Sequence, residues 1–514
     1  MTQVLQSYSQ GRWQSSQGDT SSLLDASTGE EVARIPKKGP DVAAMLQFAR
    51  KIGGPELRKL TFVQRAAILK DLGKYLFSHL DEFVDISLRT GATRRDTAVD
   101  VDGGIGTVAV YASKAARELP EKTILYDGDI EPLGKGGTFS GRHIYSSKLG
   151  VAVQINAFNF PVWGMLEKFA PAFLAGMPSV VKPASQTAYL TEAVVRRIID
   201  SNLLPEGTIS LLCAGPAGLI ENLTSQDTVS FTGSASTAQA LRSHDVVTGR
   251  SVAFNAEADS INCSILGTDI ITEDDEFEIF VNQLVTEMVI KAGQKCTAIR
   301  RAFVPVSIID DVAEAVSARL SEIVVGNPSD PTVQMGPLAS LGQRDEVRKN
   351  LQKLLAVSQV VFGDPDKVKP LGADGDRGAF VSPLLLRADD VFVPEVHSVE
   401  VFGPVCTLLP YQTFGEVIDA ASLGDGSLVG SIVTTDTALA KVLISGLAPW
   451  HGRLLVVDSS SVGESTGHGI VMPQMLHGGP GRAGGGEELG GLRAMKHYMQ
   501  RTAVQGSPSL LQSL

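Results

Sequence analysis

From Leu149 to Ser234 the chain alternates short apolar runs with helix-length amphipathic stretches, and this rhythm constrains the fold more than any other feature. Residues 150–155 read as a strand, and 160–175 as a buried helix with Pro161 in its first turn. Residues 179–181 read as a short strand, 187–202 as an amphipathic helix, and 208–212 and 228–231 as further strands before a turn at Gly233-Ser234. Strands separated by helices imply a parallel, doubly wound α/β sheet, because a crossover helix returns the chain to the same end of the sheet.

Upstream, Phe62, Ala66, Ile68, Leu69, Leu72, Leu76, Leu80 and Phe83 recur at three- and four-residue steps, so residues 61–89 read as one long helix or two short ones. Downstream, Phe277, Phe280, Val281, Leu284, Val285, Met288 and Val289 keep helical spacing. The Gly293-Gln-Lys-Cys296 segment follows directly, and 301–306 reads as a strand. This second mixed region runs to about residue 475. Residues 363–378 and the glycine-dense run 478–491 read as loops.

With 514 residues, the chain can bury several cores. Its net charge of −12 argues against nucleic acid or an anionic membrane as the main partner, since both are held by a basic face. Four cysteines make no disulfide framework, and neither they nor the eight scattered histidines have zinc-site spacing. The stretch from Met1 to Trp13 lacks a basic start followed by an apolar run. No 18-residue apolar segment is free of polar breaks, so the expected address is cytoplasmic.

Read singly, the candidate motifs stay open. Gly479-Pro-Gly-Arg-Ala-Gly484 matches GxGxxG, and Gly104-Ile-Gly-Thr-Val-Ala109 does so loosely. Neither has the strand before and the helix and strand after that a dinucleotide loop needs, so bends or close backbone approaches are expected. Asn159, before Phe160-Pro161, reads as a cap or turn, or as an amide donor aimed at an oxyanion. Cys213, Cys263 and Cys406 sit in apolar runs and read as inert. Cys296, after a Gly-Gln break and beside Lys295, suits a thiol whose thiolate forms more easily. Glu257 reads as a solvated loop acid, or as a general base whose pKa burial raises.

Taken in order, these pieces carry a resemblance. Asn159-Phe-Pro161, Val181-Lys-Pro183, Phe231-Thr-Gly-Ser234, Glu257, Gly293-Gln-Lys-Cys296, Glu400-Val-Phe-Gly-Pro404 and Gly478-Gly479 resemble the aldehyde dehydrogenase superfamily over nearly the whole chain. Gly103-Gly-Ile-Gly106, residues 156–165 and Glu257-Ala-Asp-Ser260 resemble a subgroup of aerobic aromatic catabolism. That subgroup acts on CoA-thioester semialdehydes, 3,4-dehydroadipyl-CoA semialdehyde among them. The chain stops at Leu514 with no hydratase domain following, which favours the subgroup's free-standing form.

The resemblance implies a Rossmann-type cofactor domain at 1–125 and 151–265 and an α/β catalytic domain at 266–475. It also implies a small β oligomerisation extension at 126–150 and 476–514, with a homodimer favoured. Cys296 would be the nucleophile, with Asn159 and the Cys296 N–H holding the oxyanion. Glu257 would activate the hydrolytic water, and Glu167 would relay a proton or pair with Lys168. Lys182 would bind the adenosine ribose, Ser234 would lie near the pyrophosphate, Glu400 would hold the nicotinamide ribose, and Phe402 would pack beside it. The chain departs from the common pattern at three places. Ala-Asp-Ser260 stands where Leu-Gly-Gly is usual, Ala238 replaces a glycine, and Ser185 replaces a frequent glutamate. A glutamate there would accept from a 2′-hydroxyl and repel a 2′-phosphate. Ser185 beside Lys182 admits the phosphate, so NADP is expected over NAD. Retention of Glu257 argues against acyl transfer to free CoA.

Overall fold

The computed structural model describes residues 3–16 and 18–514. Met1 and Thr2 of the N-terminal stretch read above lie outside the described residues. Two seven-stranded sheets organise the chain. The first runs Ala253–Glu257, Thr228–Thr232, Ala152–Ile155, Ser179–Lys182, Ile209–Leu211, Ser7–Ser9, Arg12–Gln14. Its first five strands are parallel and the N-terminal pair is antiparallel. The second runs Gln359–Phe362, Leu384–Arg387, Val405–Tyr411, Ile299–Pro305, Asn262–Leu266, Ser427–Val433, His451–Val457, and only its first strand is antiparallel. Two large apolar cores pack around these sheets. A separate antiparallel sheet joins Leu125–Pro132, Ser140–Ser147 and Met499–Gly506.

Parallel α/β sheets bind ligands at the carboxyl ends of their strands, where the order reverses. Here Asn159 follows the end of Ala152–Ile155, Lys182 ends its own strand, Gly233-Ser234 follows Thr228–Thr232, and Glu257 ends the edge strand. Asn262–Leu266 belongs to the second sheet, so the crossing between sheets falls at 258–261 and not at the expected 265/266 boundary.

The periodic stretch 61–89 is two helices, Phe62–Phe77 and Leu80–Ser87. The first is opened by a capping box between Thr61 and Gln64. The buried helix begins at Trp163, not in front of Pro161. Pro161 instead sits in the approach. The orphan N–H groups of Val162 and Trp163 donate to Asp100 Oδ1 at 3.1 and 2.8 Å, which fixes the helix start. Eleven of the thirteen residues of Trp163–Ala175 are buried. Removing one of their rings, Phe169 or Phe173, would cost about 3–5 kcal/mol. Gly104 opens the helix Gly103–Glu118 with no strand before it, which is not a phosphate loop. Among the described residues no helix is long and apolar enough to cross a membrane.

Candidate active site

Cys296 sits on a turn immediately after a contorted segment. The helix Asp275–Val289 ends, and Lys291, Ala292 and Gly293 all take positive φ, at 56°, 51° and 68°. This conformation is strained for the first two and persists only where surroundings impose it. The Lys291 N–H donates to buried Asp96 at 2.8 Å. A Cβ on Gly293 would come 2.2 Å from the Gly403 carbonyl oxygen, so only glycine fits there. Arg300 ties the two strands of chain together, donating to the carbonyls of Gly403 at 2.6 Å and Gly293 at 2.8 Å. Beyond the turn, fully buried Asn262 donates to the carbonyls of Cys296 and Ala298 at 2.8 and 3.0 Å.

Beside the half-buried sulfur stand two buried groups. His477 Nε2 lies 3.8 Å from Cys296 Sγ, aligned as a hydrogen bond, and 3.1 Å from Glu257 Oε2. The Glu257–His477 contact is close but not well directed, and the Glu257 carboxylate also reaches the Cys296 thiol. Behind Glu257, Lys168 Nζ donates to Glu167 Oε1 and Glu488 Oε2, each at 2.9 Å. Oxygens of Glu167, Glu257 and Glu488 lie within 4.8 Å of one another. Burial pushes the Glu167 carboxyl well up, and Lys168 only partly opposes it. Burial would also raise Glu257, but His477 and Lys168 outweigh it and hold that carboxyl well below its usual range. The expected upward shift of Glu257 is therefore reversed by its neighbours. The Cys296 thiol is pushed well up, first by burial, then by the Glu257 and Glu167 carboxylates. Lys295 favours the thiolate as expected but is outweighed, and its ammonium also pairs with buried Glu287 at 2.7 Å. Sγ, Nε2 and a Glu257 oxygen are close enough for a soft divalent cation to bridge them and block the thiol.

The glycine-dense run explains how His477 and Glu488 reach this place. Leu476–Gly478 and Glu487–Leu489 pair antiparallel, with His477 opposite Glu488. The run between them presses on the edge strand: the Gly486 N–H donates to the Ala256 carbonyl at 3.0 Å, and a Cβ on Gly486 would meet that oxygen at 2.3 Å. The run is thus a backbone-to-backbone wedge at the base of Glu257, where a loop towards an association element was expected.

Two cavities meet at Cys296. One, of about 740 Å³, is lined by Asn159, Ser234, Glu257, Glu400 and Phe402 among others. The other, of about 500 Å³, is an apolar tunnel past Val110, Trp163, Val471 and Met472 to His477, with Arg95 its one charged Lys, Arg, Asp or Glu lining residue among those described. Asn159 is buried and its amide donates to the Gln294 carbonyl at 3.0 Å, leaving a second N–H beside the nucleophile segment. Ser234 caps the helix Ala235–Arg242, and the Ala235 N–H donates to Asp259 at 2.8 Å. Phe402 packs edge-on to Phe158, with ring centres 5.9 Å apart. Burial lifts the Glu400 carboxyl to about 7, with Arg300 opposing and Asp259 adding to the rise. The larger cavity reaches the Lys182 segment at Ala184 and Gln186. Lys182 itself is buried and donates to the Pro183 carbonyl at 2.6 Å, while Ser185 is exposed at the start of a short turn. The Asn156 amide and the Thr232 hydroxyl line the same cavity, buried and without partners, as a site built for a polar ligand would leave them.

The sequence reading brought Cys296, Glu257, Asn159, Glu400 and Phe402 to one site, and all five line these cavities. Glu167 joins from behind. It missed His477, Glu488, Asn262 and Asp100. None of them sits in a spacing that signals its role: His477 was one of several scattered histidines, and its only local cue is the glycine run that follows it.

A half-buried thiol where a large polar cavity meets an apolar one, across the carboxyl ends of a parallel sheet, marks the binding site of an α/β enzyme. The chain belongs to the aldehyde dehydrogenase family, which it matches over residues 13–504. That family works with NAD(P), and the chain is accordingly an oxidoreductase acting on an aldehyde. It is 44% identical to 3,4-dehydroadipyl-CoA semialdehyde dehydrogenase of Aromatoleum evansii over 478 residues, 93% of each chain. It is 47% identical to Protein MaoC of Klebsiella aerogenes over 186 residues, 35% of this chain and 52% of that one. Among solved structures it resembles lactaldehyde dehydrogenase, with a TM-score of 0.85 at 22% identity over 99% of this chain and 100% of that one. It also resembles betaine aldehyde dehydrogenase of Staphylococcus aureus in complex with NAD+, with a TM-score of 0.84 at 22% identity over 97% and 94%.

Proposed function

We propose that this enzyme oxidises a CoA-thioester semialdehyde, 3,4-dehydroadipyl-CoA semialdehyde or a near analogue, to the acid with NADP and water. The observation that carries the chemistry is Cys296 at the junction of the two cavities, with Glu257 beside it. The substrate rests on the 44% identical relative and on the tunnel, whose apolar walls suit a short acyl chain entering aldehyde first. Exposed Arg94 and Arg95, at the tunnel's Arg95 end, supply positive charge for a phosphate-bearing tail.

The cofactor cavity fits the nicotinamide group by its unpartnered Asn156 and Thr232 and by the capped helix start at Ser234. Asn156 and Thr232 offer polar contacts, Glu400 accepts from ribose hydroxyls, Phe402 packs beside the ring, and Ser185 with Lys182 admits a 2′-phosphate. When bound, the nicotinamide accepts hydride. Cys296 attacks the aldehyde carbon, and the free Asn159 N–H and the Cys296 backbone N–H receive the oxyanion. Hydride leaves, and a thioester to Cys296 remains. Glu257, kept ionised at neutral pH, takes a proton from water, which hydrolyses the thioester. Glu167, with Lys168 and Glu488, sets the charge around that carboxylate. The substrate's own thioester is spared because its sulfur lies down the tunnel, away from Glu257.

The cofactor-binding part is taken as 1–125 and 151–261, the catalytic part as 262–475. The antiparallel sheet of Leu125–Pro132, Ser140–Ser147 and Met499–Gly506 serves association in a cytoplasmic homodimer. Its exposed neighbours Leu133 and Phe139 suit such a contact. The experiment is a panel of CoA-linked semialdehydes and their free analogues, each with NADP and NAD. The reading expects the highest kcat/KM for a CoA-linked semialdehyde with NADP. A free short-chain aldehyde turned over equally well contradicts the substrate, and a preference for NAD contradicts the cofactor.

A further inference from the structure

Helices avoid glycine, because it gives up the most backbone freedom on folding and adds no side chain to pack. The helical run 94–118 nevertheless carries three glycines within four positions, Gly103, Gly104 and Gly106. Arg94–Thr97 and Gly103–Glu118 are α-helical, and a wider π-helical turn, Ala98–Asp102, joins them. Such turns are rare and frequently stand at functional sites.

Packing within the protein accounts for one of the three. A Cβ on Gly104 would come 2.9 Å from Trp163 Cα and 3.0 Å from the Trp163 nitrogen, so this glycine lets the buried helix Trp163–Ala175 approach. The other two line the apolar tunnel that ends at Cys296. A Cβ on Gly103 would meet nothing closer than 3.9 Å, and one on Gly106 would meet no atom within 4 Å. The backbone at Gly106 is ordinary right-handed helix, which other residues adopt more readily. Neither the fold nor the backbone therefore asks for glycine at 106. What lies beside it is the open tunnel.

Arg95, Val99, Gly103, Gly106 and Val110 follow one another at steps of three and four residues, and all line the tunnel. This face is thus a valine, a notch two glycines long, and a second valine, with a cation one turn further on. We propose that Gly106 is a specificity-determining residue: by withholding a side chain it keeps the tunnel wide enough for an aldehyde whose chain continues into a thioester and the amide-bearing arm behind it. A leucine there would put four carbons into the notch. A slim three-carbon aldehyde needs less of that width than a chain with its arm attached. This role rests on the CoA-linked substrate proposed above, and one arm of the test reads the tunnel without any aldehyde, so the two can fail separately.

The experiment is the series Gly106→Ala, Gly106→Val and Gly106→Leu. Alanine is the best helix former and meets no atom there, so the Tm of that variant should rise above wild type, as it would not if the fold needed the glycine. For each folded variant, kcat/KM is measured for 6-oxohexanoyl-CoA and for propanal. Separately, with NADP filling the polar cavity, Cys296 is alkylated by N-cyclohexylmaleimide and by iodoacetamide, a wide and a slim reagent. The ratio of CoA-linked to free aldehyde should fall in the order Ala, Val, Leu, at least tenfold with leucine, and the ratio of maleimide to iodoacetamide rates should fall with it. A maleimide ratio that falls while the aldehyde ratio holds would uphold the notch and contradict the CoA-linked substrate. A folded valine or leucine variant with both ratios within twofold of wild type, or an alanine variant with a lowered Tm, overturns the assignment.

Discussion

The Asn262 amide donates 2.8 Å to the carbonyl of Cys296, so the residue opening the second sheet holds the backbone of the reactive cysteine. The same amide donates to the Ala298 carbonyl, and its oxygen accepts from the Ser260 hydroxyl at 2.6 Å and the Val429 N–H at 3.1 Å. Asn262→Ala would leave several buried polar groups without partners. It should cost about 2–3 kcal/mol, seen as a lower urea midpoint, and should lower kcat/KM about tenfold or more while NADP affinity holds. Unchanged stability and activity would mean the clamp is incidental.

Lys168 is the one cation among three carboxylates, and all four groups are buried. In Lys168→Met, Glu167 and Glu488 lose their counter-charge, and the already raised folded-state pKa of Glu167 rises further. A raised carboxyl contributes its stability below the unfolded pKa and loses it as pH rises through the folded one. The variant should therefore lose stability progressively as pH rises from about 5 to 8, by about 3–5 kcal/mol at the upper end. Melting temperatures across that range check this. A variant whose Tm follows wild type at every pH speaks against a charge role for Lys168.

Ser185→Glu places an acceptor and a negative charge where the adenosine 2′ position is expected. The ratio of kcat/KM for NADP over NAD should fall at least tenfold, mostly through the KM for NADP. An unchanged ratio would move the 2′-phosphate away from this turn.

Burial lifts Glu400 to about 7, so its carboxylate, the form that accepts from ribose hydroxyls, becomes the main species only above that pH. The KM for the cofactor should fall as pH rises from 6 to 8 and level off above it. Glu400→Gln should have a higher KM that is flat over the same interval. A sloping profile retained in the variant would assign the titration to another group.

Much of the fold could be read from residues 149–234, because strand and helix periods are local properties of the chain. Asn159, Glu257 and Cys296 stayed open when read singly and became legible together only through the order of the family motifs that carry the resemblance. The direction of the Glu257 shift was not legible. It depends on Lys168 and His477, which lie 89 residues before and 220 residues after it and meet it only through the fold. Lys295 does favour the thiolate, as its place beside Cys296 implies, but that adjacency says nothing of the burial and the two carboxylates that outweigh it. The glycine run looked like a loop because backbone-to-backbone packing against Ala256 leaves no hydrophobic period to detect.

The central claim is a covalent route through Cys296 completed by Glu257. It is tested most directly by mixing Glu257→Gln with saturating aldehyde and NADP, following NADPH and the mass of the Cys296 peptide. The account predicts a burst of one NADPH per site, an acyl adduct on Cys296, and steady turnover reduced about 10²-fold or more. Wild-type turnover after the burst, or a burst with Cys296 unmodified, would contradict it.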